Sequence, residues 1–524
     1  MNEAGQLSKP FTRWDVGLAI GVGILSLGLY ARTLIPWVLP GDSGEFQVLA
    51  YQVGIAHTTG YPIYMMLARL FIALAPIGEV AYRVNLFSAL MGGLTVAGLY
   101  VAGRLLTDNR WGALLAALVF TISSTFWSQA VIAETYTAAA AFQVAVWGAL
   151  LVWYKTGRKW ALFVAGVLGG VGLGVHTSLA LLAPAVGIFL LLNKNRWAEL
   201  WKPALSGGLV GVALFIIGFM IVDLHAPPAN IFNAAYGPAR SAWALTEEDI
   251  QNPAVRFWFI VSARQWRGEM FIAPQRDTVK GFRDYPAKVS KEFSLLTIAL
   301  FGLGGVLLFG RDWRLAVLFS LALLIHLFYS FNYRIWDTYV LYIPGYLMLA
   351  MLAAVGLAGL SQLISKINWR GKSVLEAVLM SAILVGSLIP ILSPRLKAIQ
   401  AGQAPFINTA GYLVKDDSEN IYKIATKLVP QLEQNAILFT DWNQLYSYYY
   451  AAHIDQGRLD LQFVEAYPHA DSEGLADSTI EFIQAKIDNH PIYFAEPAFE
   501  VGQAGFKLRS VYFGFIRFYK VEKK

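Results

Sequence analysis

The sequence predicts a polytopic, all-α membrane protein that ends in a small α/β domain. Three observations predict it. Only 15% of the 524 residues are charged and the mean hydropathy is +0.49, whereas soluble domains carry about 25% charged residues. Apolar runs recur along most of the chain, many of them near the roughly 20 residues that cross a bilayer. The loops between these runs alternate between basic and non-basic, the pattern of a chain that crosses repeatedly. The pI near 9.1 then reflects loop charge on the cytoplasmic side, and nucleic acid is not an expected partner. The chain has no cysteine, which excludes disulfides and thiolate metal sites.

The elements follow in order. The N-terminal "MNEAGQLSKPFTRWD" runs into an apolar stretch with no small-residue cleavage motif, so an uncleaved first span is expected at 15–36. Further spans are expected near 84–106, 111–128, 136–154, 160–175, 178–193, 204–222, 293–310, 314–331, 338–361 and 373–393, about eleven transmembrane helices in all. With Lys9 and Arg13 in the cytoplasm, the following basic loops share that side: Arg104 and Arg110; Lys155, Arg158 and Lys159; Lys194 and Arg196; Arg311 and Arg314; Lys366, Arg370 and Lys372. The short run 61–76, interrupted by Arg69, would invert this order if it spanned. It is expected to lie on the outer surface as an interfacial helix, with a re-entrant segment as the alternative.

Two hydrophilic regions remain. The 223–292 loop is too long to lack structure, so short helices are expected in it. Residues 394–524 fall outside the cytoplasm. There "AILFTD" (436–441), "DLQFVEAY" (460–467) and "PIYFAE" (491–496) read as buried strands. Helical stretches at 420–435 and 478–490 separate them, and 506–522 reads as a terminal hairpin. The expected domains are a transmembrane domain over 1–393, with outer loops 37–83 and 223–292, and an extracytoplasmic α/β domain over 394–524.

On this topology the polar residues gather on the outer side: Asp42, Glu45 and His57 in the first loop, Glu134, His176, Asp223 and His225, and Arg334 with Asp337. Each has a simpler reading. Asp42 suits a helix cap, since "GDSGEF" approximates a capping box. Glu134 suits a solvated loop acid, His176 a satisfied interface histidine, and Arg334–Asp337 a surface ion pair. Their convergence on one side argues instead for a shared cavity at the outer surface. Asp441 in "FTDWNQ" suits a helix cap, and with Asn443 it ends a strand, where ligands often bind.

The run "PGDSGEF…AHTTGYPIYMMLARLF…RVNLFSALMGGLTVAGLY" resembles the DUF2723 family of the GT-C membrane glycosyltransferases, which includes the TMEM260-type protein O-mannosyltransferases. "AETYT" (Glu134, Tyr136) matches a family element, and His176 stands where the family has a polar, His-containing motif. The resemblance covers about residues 14–200. Where the family usually has His-Pro-Pro-Gly-Tyr-Pro, this chain has His57-Thr58-Thr59-Gly60-Tyr61-Pro62, a departure that predicts a less rigid turn.

The resemblance implies transfer of a sugar, mannose in the eukaryotic relatives, from a polyprenyl-phosphate donor in the membrane lipid to an extracytoplasmic hydroxyl on a protein, lipid or glycan. A hydroxyl is a weak nucleophile and needs a carboxylate base; the resemblance gives that role to Asp42. Glu45 is the second catalytic acid. His57, Tyr61, Glu134, Tyr136 and His176 would contact substrate. The leaving phosphate needs cations, and Arg334 beside Asp337, or Arg264 or Arg267 of the long loop, would supply them. No cofactor is implied. Two separated acids and a histidine make an incomplete ligand set, so no metal is expected. The implied location is the plasma or inner membrane, with the C-terminal domain outside. The main alternative is a transporter or flippase of a lipid-linked sugar, but paired halves and midplane charges are not evident. A scaffold presenting the tail would leave the first-loop acids unexplained.

Overall fold

The computed structural model describes residues 11–193, 197–408, 411–468 and 474–524; the expected loop charges Lys9, Lys194 and Arg196 lie outside these. Every predicted span is helical. Among the described residues seven helices are long and apolar enough to cross a membrane. Three others are apolar but shorter than expected for full spans: Lys159–Gly172, Thr177–Leu192 and Leu295–Arg311. The expected single span 111–128 is instead two helices, Arg110–Thr121 and Ser124–Ala130, bent by 66°. The chain is an integral membrane protein with an all-α membrane part.

The chain divides into two compact units, each built from three segments. The first comprises Met1–Leu34, Ser88–Phe215 and Gly268–Leu413. Asp15 is buried on the first helix and pairs with Arg104 at 3.0 Å and Arg110 at 2.9 Å. Two of the residues counted as loop charge are therefore also partners of a buried acid. The bend in the 110–130 pair has a similar cause. Glu292, buried, accepts hydrogen bonds from the hydroxyls of Ser123, Ser124 and Thr125 at 2.7–2.9 Å. An acid at a helix N-terminus satisfies its open N–H groups and complements its dipole, so a new helix starts there. Helices Leu295–Arg311 and Ile343–Ser365 touch backbone to backbone: a Cβ on Gly304 would stand 1.8 Å from the Leu352 carbonyl oxygen, which is why small residues line this contact.

The second unit comprises Ile35–Phe87, Ile216–Arg267 and Val414–Lys524. These are most of the first outer loop, the first part of the long loop and the tail, so the stretches that the topology put on one side fold together. The helix Pro62–Leu74 forms where the interfacial segment was expected, and Arg69 lies 4.9 Å from the centre of the Tyr51 ring. The long loop contains the expected short helices, among them Phe232–Tyr236, Glu247–Gln251 and Pro253–Val261.

The strands are β1 (Gln403–Asn408), β2 (Gly411–Val414), β3 (Ile437–Thr440), β4 (Gln462–Glu465), β5 (Ile492–Phe494), β6 (Phe506–Phe513) and β7 (Ile516–Lys523). The last five form one sheet in the order β4-β3-β5-β7-β6. β3 pairs in parallel with β4 (Ile437↔Gln462) and with β5 (Ile437↔Ile492), and β6–β7 is the expected hairpin. On one face Ile437, Phe439, Val464, Ile492 and Phe494 enter a core with Ile483 and Val501. Alternation puts Leu438, Thr440, Phe463 and Glu465 on the other face. There Phe463 stacks on Tyr448 at 5.5 Å, which seats the helix Trp442–Tyr449 against the sheet.

Candidate active site

The second unit brings Asp42, Glu45, His57 and Tyr61 together. The first-loop helix runs Gly41–Gln52 with Pro40 as its N-cap and no side-chain cap. Asp42 is thus in the first turn and is not the cap that its spacing also allowed. Gly41 has φ +61°, a conformation glycine adopts without a Cβ penalty. A Cβ on Gly44 would meet the Leu39 carbonyl oxygen at 2.3 Å. The two glycines let the chain fold back tightly where the acids emerge.

Three groups stand in a row. Glu45 is fully buried. Its Oε1 accepts the His57 backbone N–H at 2.7 Å and the Tyr446 hydroxyl at 3.1 Å, and its Oε2 bonds the His57 Nδ1. The other ring nitrogen, Nε2, is 3.8 Å from Asp42 Oδ2. Asp42 Oδ1 accepts the Trp442 indole N–H at 2.8 Å, and a third of the Asp42 side chain remains exposed. The His57 ring is packed among Phe46, Tyr61 and Trp442 at 5.4–5.8 Å. Burial raises the Glu45 carboxyl, and the His57 charge opposes that rise.

The Glu45 carboxylate, expected as the second catalytic acid, has no accessible surface and is held by His57 and Tyr446. The turn at His57–Pro62 is closed by internal hydrogen bonds. Thr58 and Thr59 are buried, the Tyr61 hydroxyl donates to the Thr58 carbonyl at 3.1 Å, and the His57 carbonyl accepts the Gly60 N–H at 2.7 Å.

Sequence reasoning missed three contributors, all from the tail: Trp442, Tyr446 and Glu465. Asp441 caps the helix Trp442–Tyr449 by accepting the Asn443 N–H at 2.8 Å, and this cap sets Trp442 beside Asp42. Glu465 ends β4 on the sheet face that carries this helix. Burial and the charges of Glu45, Asp441 and Asp42 push its carboxyl up to about 8.

Arg264 and Arg267 line a cleft of about 470 Å³ with Trp258 and Ser262 in the second unit. Arg264 donates to the Trp243 carbonyl at 2.8 Å and Arg267 to that of Ser262 at 3.1 Å. The helix behind this cleft shares a hydrophobic cluster with Ile55 and Trp442 through Phe259 and Ile260. Asp223 is buried and paired with Arg256 at 2.6 Å. In the first unit, Tyr136 and His176 come together with ring centres 5.3 Å apart. The His176 Nδ1 accepts the Ser178 N–H at 3.1 Å as a helix cap. Tyr136 also lines a cavity of about 20 Å³ with Gln143 and His326, room for about one water. The Glu134 backbone is tied to the Ser88 hydroxyl at 3.2 Å. Arg334 pairs with Asp277 at 2.7 Å, which the helix Pro274–Glu292 brings to it. Among the described residues no group of three or more His, Asp or Glu side chains is placed to hold a metal ion.

A family model described as the protein O-mannosyl-transferase TMEM260 N-terminal domain matches residues 42–199, beginning at Asp42. The protein O-mannosyl-transferase TMEM260 of Mus musculus is 41% identical over 104 residues, 20% of this chain and 15% of that protein. Its counterpart in Dictyostelium discoideum is 26% identical over 225 residues, 40% of this chain and 27% of that protein. The chain thus spans well under two thirds of either relative. The crystal structure of ArnT from Cupriavidus metallidurans bound to undecaprenyl phosphate superimposes with a TM-score of 0.59 and 13% identity, covering 98% of both chains. At that identity the likeness is one of fold. Over nearly its whole length the chain therefore has the fold of ArnT, and residues 42–199 are similar to the TMEM260 N-terminal domain.

Proposed function

We propose that this protein is a membrane glycosyltransferase that moves a hexosyl group, mannose in the first instance, from a polyprenyl phosphate to a protein hydroxyl outside the cytoplasm. The observation that carries the reading is Asp42: a part-exposed carboxylate held by Trp442 and flanked by a histidine that a buried acid orients. The TMEM260 names of the relatives support the sugar and the protein acceptor. The ligand of the ArnT structure supports a lipid-phosphate donor.

In this reading the acceptor oxygen attacks the anomeric carbon while Asp42 takes its proton. The bond from that carbon to the phosphate oxygen breaks, and the lipid phosphate leaves with the electron pair. One displacement inverts the anomeric centre. Asp42 uses its open edge, because Oδ1 is engaged by the indole. Glu45 and Tyr446 act through His57 as positioning residues. A guanidinium suits phosphate oxygens in two-point contact. Arg264 and Arg267 are the proposed donor-phosphate ligands, since Arg334 is already committed to Asp277. Tyr61 positions His57, and Glu134, Tyr136, His176 and Asp337 are the proposed substrate contacts of the first unit. The tail is the proposed acceptor-selecting module, with the N-terminus cytoplasmic.

The test is purified protein incubated with polyprenyl-phosphate mannose and a Ser/Thr-containing peptide. Mannosylated peptide of inverted anomeric configuration is the expected product. Movement of the lipid-linked sugar across vesicles without any transfer would instead establish a transporter.

A further inference from the structure

The helix Pro274–Glu292 carries a face that the proposed chemistry does not use. Its inner side is fixed: Asp277 pairs with Arg334, Thr278 accepts from the Asn332 amide at 2.8 Å, and Val289 and Glu292 are buried. Its outer side is exposed at Arg276, Val279, Lys280, Arg283 and Ala287, which recur at intervals of three and four residues along one side of the helix, with Phe282 at the edge of that side, its ring edge-on to Phe331 with centres 5.1 Å apart. Val279 is 71% and Phe282 47% exposed, while the Arg276 and Arg283 side chains are 72% and 74% exposed. Two acids touch this stripe: Asp284, paired with Arg283 at 3.0 Å, and Asp277, 3.5 Å from Arg276 but also neutralised by Arg334 at 2.7 Å, so Arg276, Lys280 and Arg283 leave the stripe net cationic. The apolar helix Leu295–Arg311 follows directly.

Exposed apolar side chains rimmed by like charges mark a contact surface. Cations flanking an apolar stripe, next to an apolar helix, suit the headgroup layer of a bilayer. Long basic side chains can lay their stems on the apolar boundary and their heads among phosphates. We infer that this face docks on anionic phospholipid: Val279 and Phe282 enter the acyl boundary, and Arg276, Lys280 and Arg283 meet the lipid phosphates.

The chain has no cysteine, so a single Val279→Cys carries one fluorophore. The labelled full chain is placed in mixed phosphatidylcholine and phosphatidylglycerol vesicles in which one lipid or the other bears a doxyl quencher. The expected result is quenching by lipid and protection from aqueous iodide, with doxyl-phosphatidylglycerol at least about twofold more effective. That preference should vanish when Arg276, Lys280 and Arg283 are replaced by Gln. Ala287→Cys reports the same face if Val279→Cys does not fold. Iodide quenching without lipid quenching would overturn the inference and leave the face to water or a protein partner. Equal quenching by the two lipids would overturn the recognition of charge.

Discussion

The buried Glu45 carboxylate and the His57 ring stand or fall together. Removing one member of a buried, hydrogen-bonded charge pair leaves the other uncompensated, at a cost of about 3–5 kcal/mol. Glu45→Ala should therefore lower the unfolding temperature measurably in detergent as well as abolish transfer, whereas Asp42→Asn should leave stability near wild type. Glu465 gives a pH signature. Its carboxyl is pushed up from 4.5 to about 8, so between those values the native state holds a proton that the unfolded chain has released. Stability contributed by this group is thus lost as pH rises through that window. Glu465→Gln should flatten the fall in melting temperature from pH 5 to 8; an unchanged slope would place the linkage on another group. Asp42, Glu45 and His57 were readable in the sequence because one short loop supplies all three. Trp442 and Tyr446 were not, since each reaches the loop across about 400 residues and nothing local in "FTDWNQLY" announces an indole donor.

Among the elements, the first-loop helix depends on a glycine with no room for a side chain. Gly44→Ala would press a methyl on the Leu39 carbonyl and the Tyr446 side chain, an overpacking that costs about 1–3 kcal/mol. Thermal unfolding of the variant checks this, and a neutral effect would mean that the turn has slack. The strands of the tail and its hairpin were readable from alternation and turn residues. The bend near Ile122 was not: the apolar run is continuous there, and the break is imposed by Glu292, 169 residues away from Ser123. The short spans read as full length because apolarity continues past Gly172, where the chain turns toward the His176 cap.

For the whole molecule, the linear order hides the assembly. The second unit draws on the first loop, the long loop and the tail, and the tail supplies Trp442 to Asp42 and the Tyr450 hydroxyl to the Ala81 N–H at 3.0 Å. Truncation before Val414 should therefore speed amide exchange across residues 41–61; unaltered protection would show that the loop holds its shape alone. A reporter fused after Lys524 should read as extracytoplasmic, and a cytoplasmic signal would invert the proposed topology. The central claim is that Asp42 is the base of a glycosyl transfer. It is tested most directly by the rate of mannose transfer from polyprenyl-phosphate mannose to peptide by purified Asp42→Asn. The substitution keeps the shape of the side chain and its acceptance of the Trp442 N–H. The account predicts a folded protein whose rate falls by about 10²–10⁴; a folded Asp42→Asn protein that transfers at the wild-type rate would contradict it.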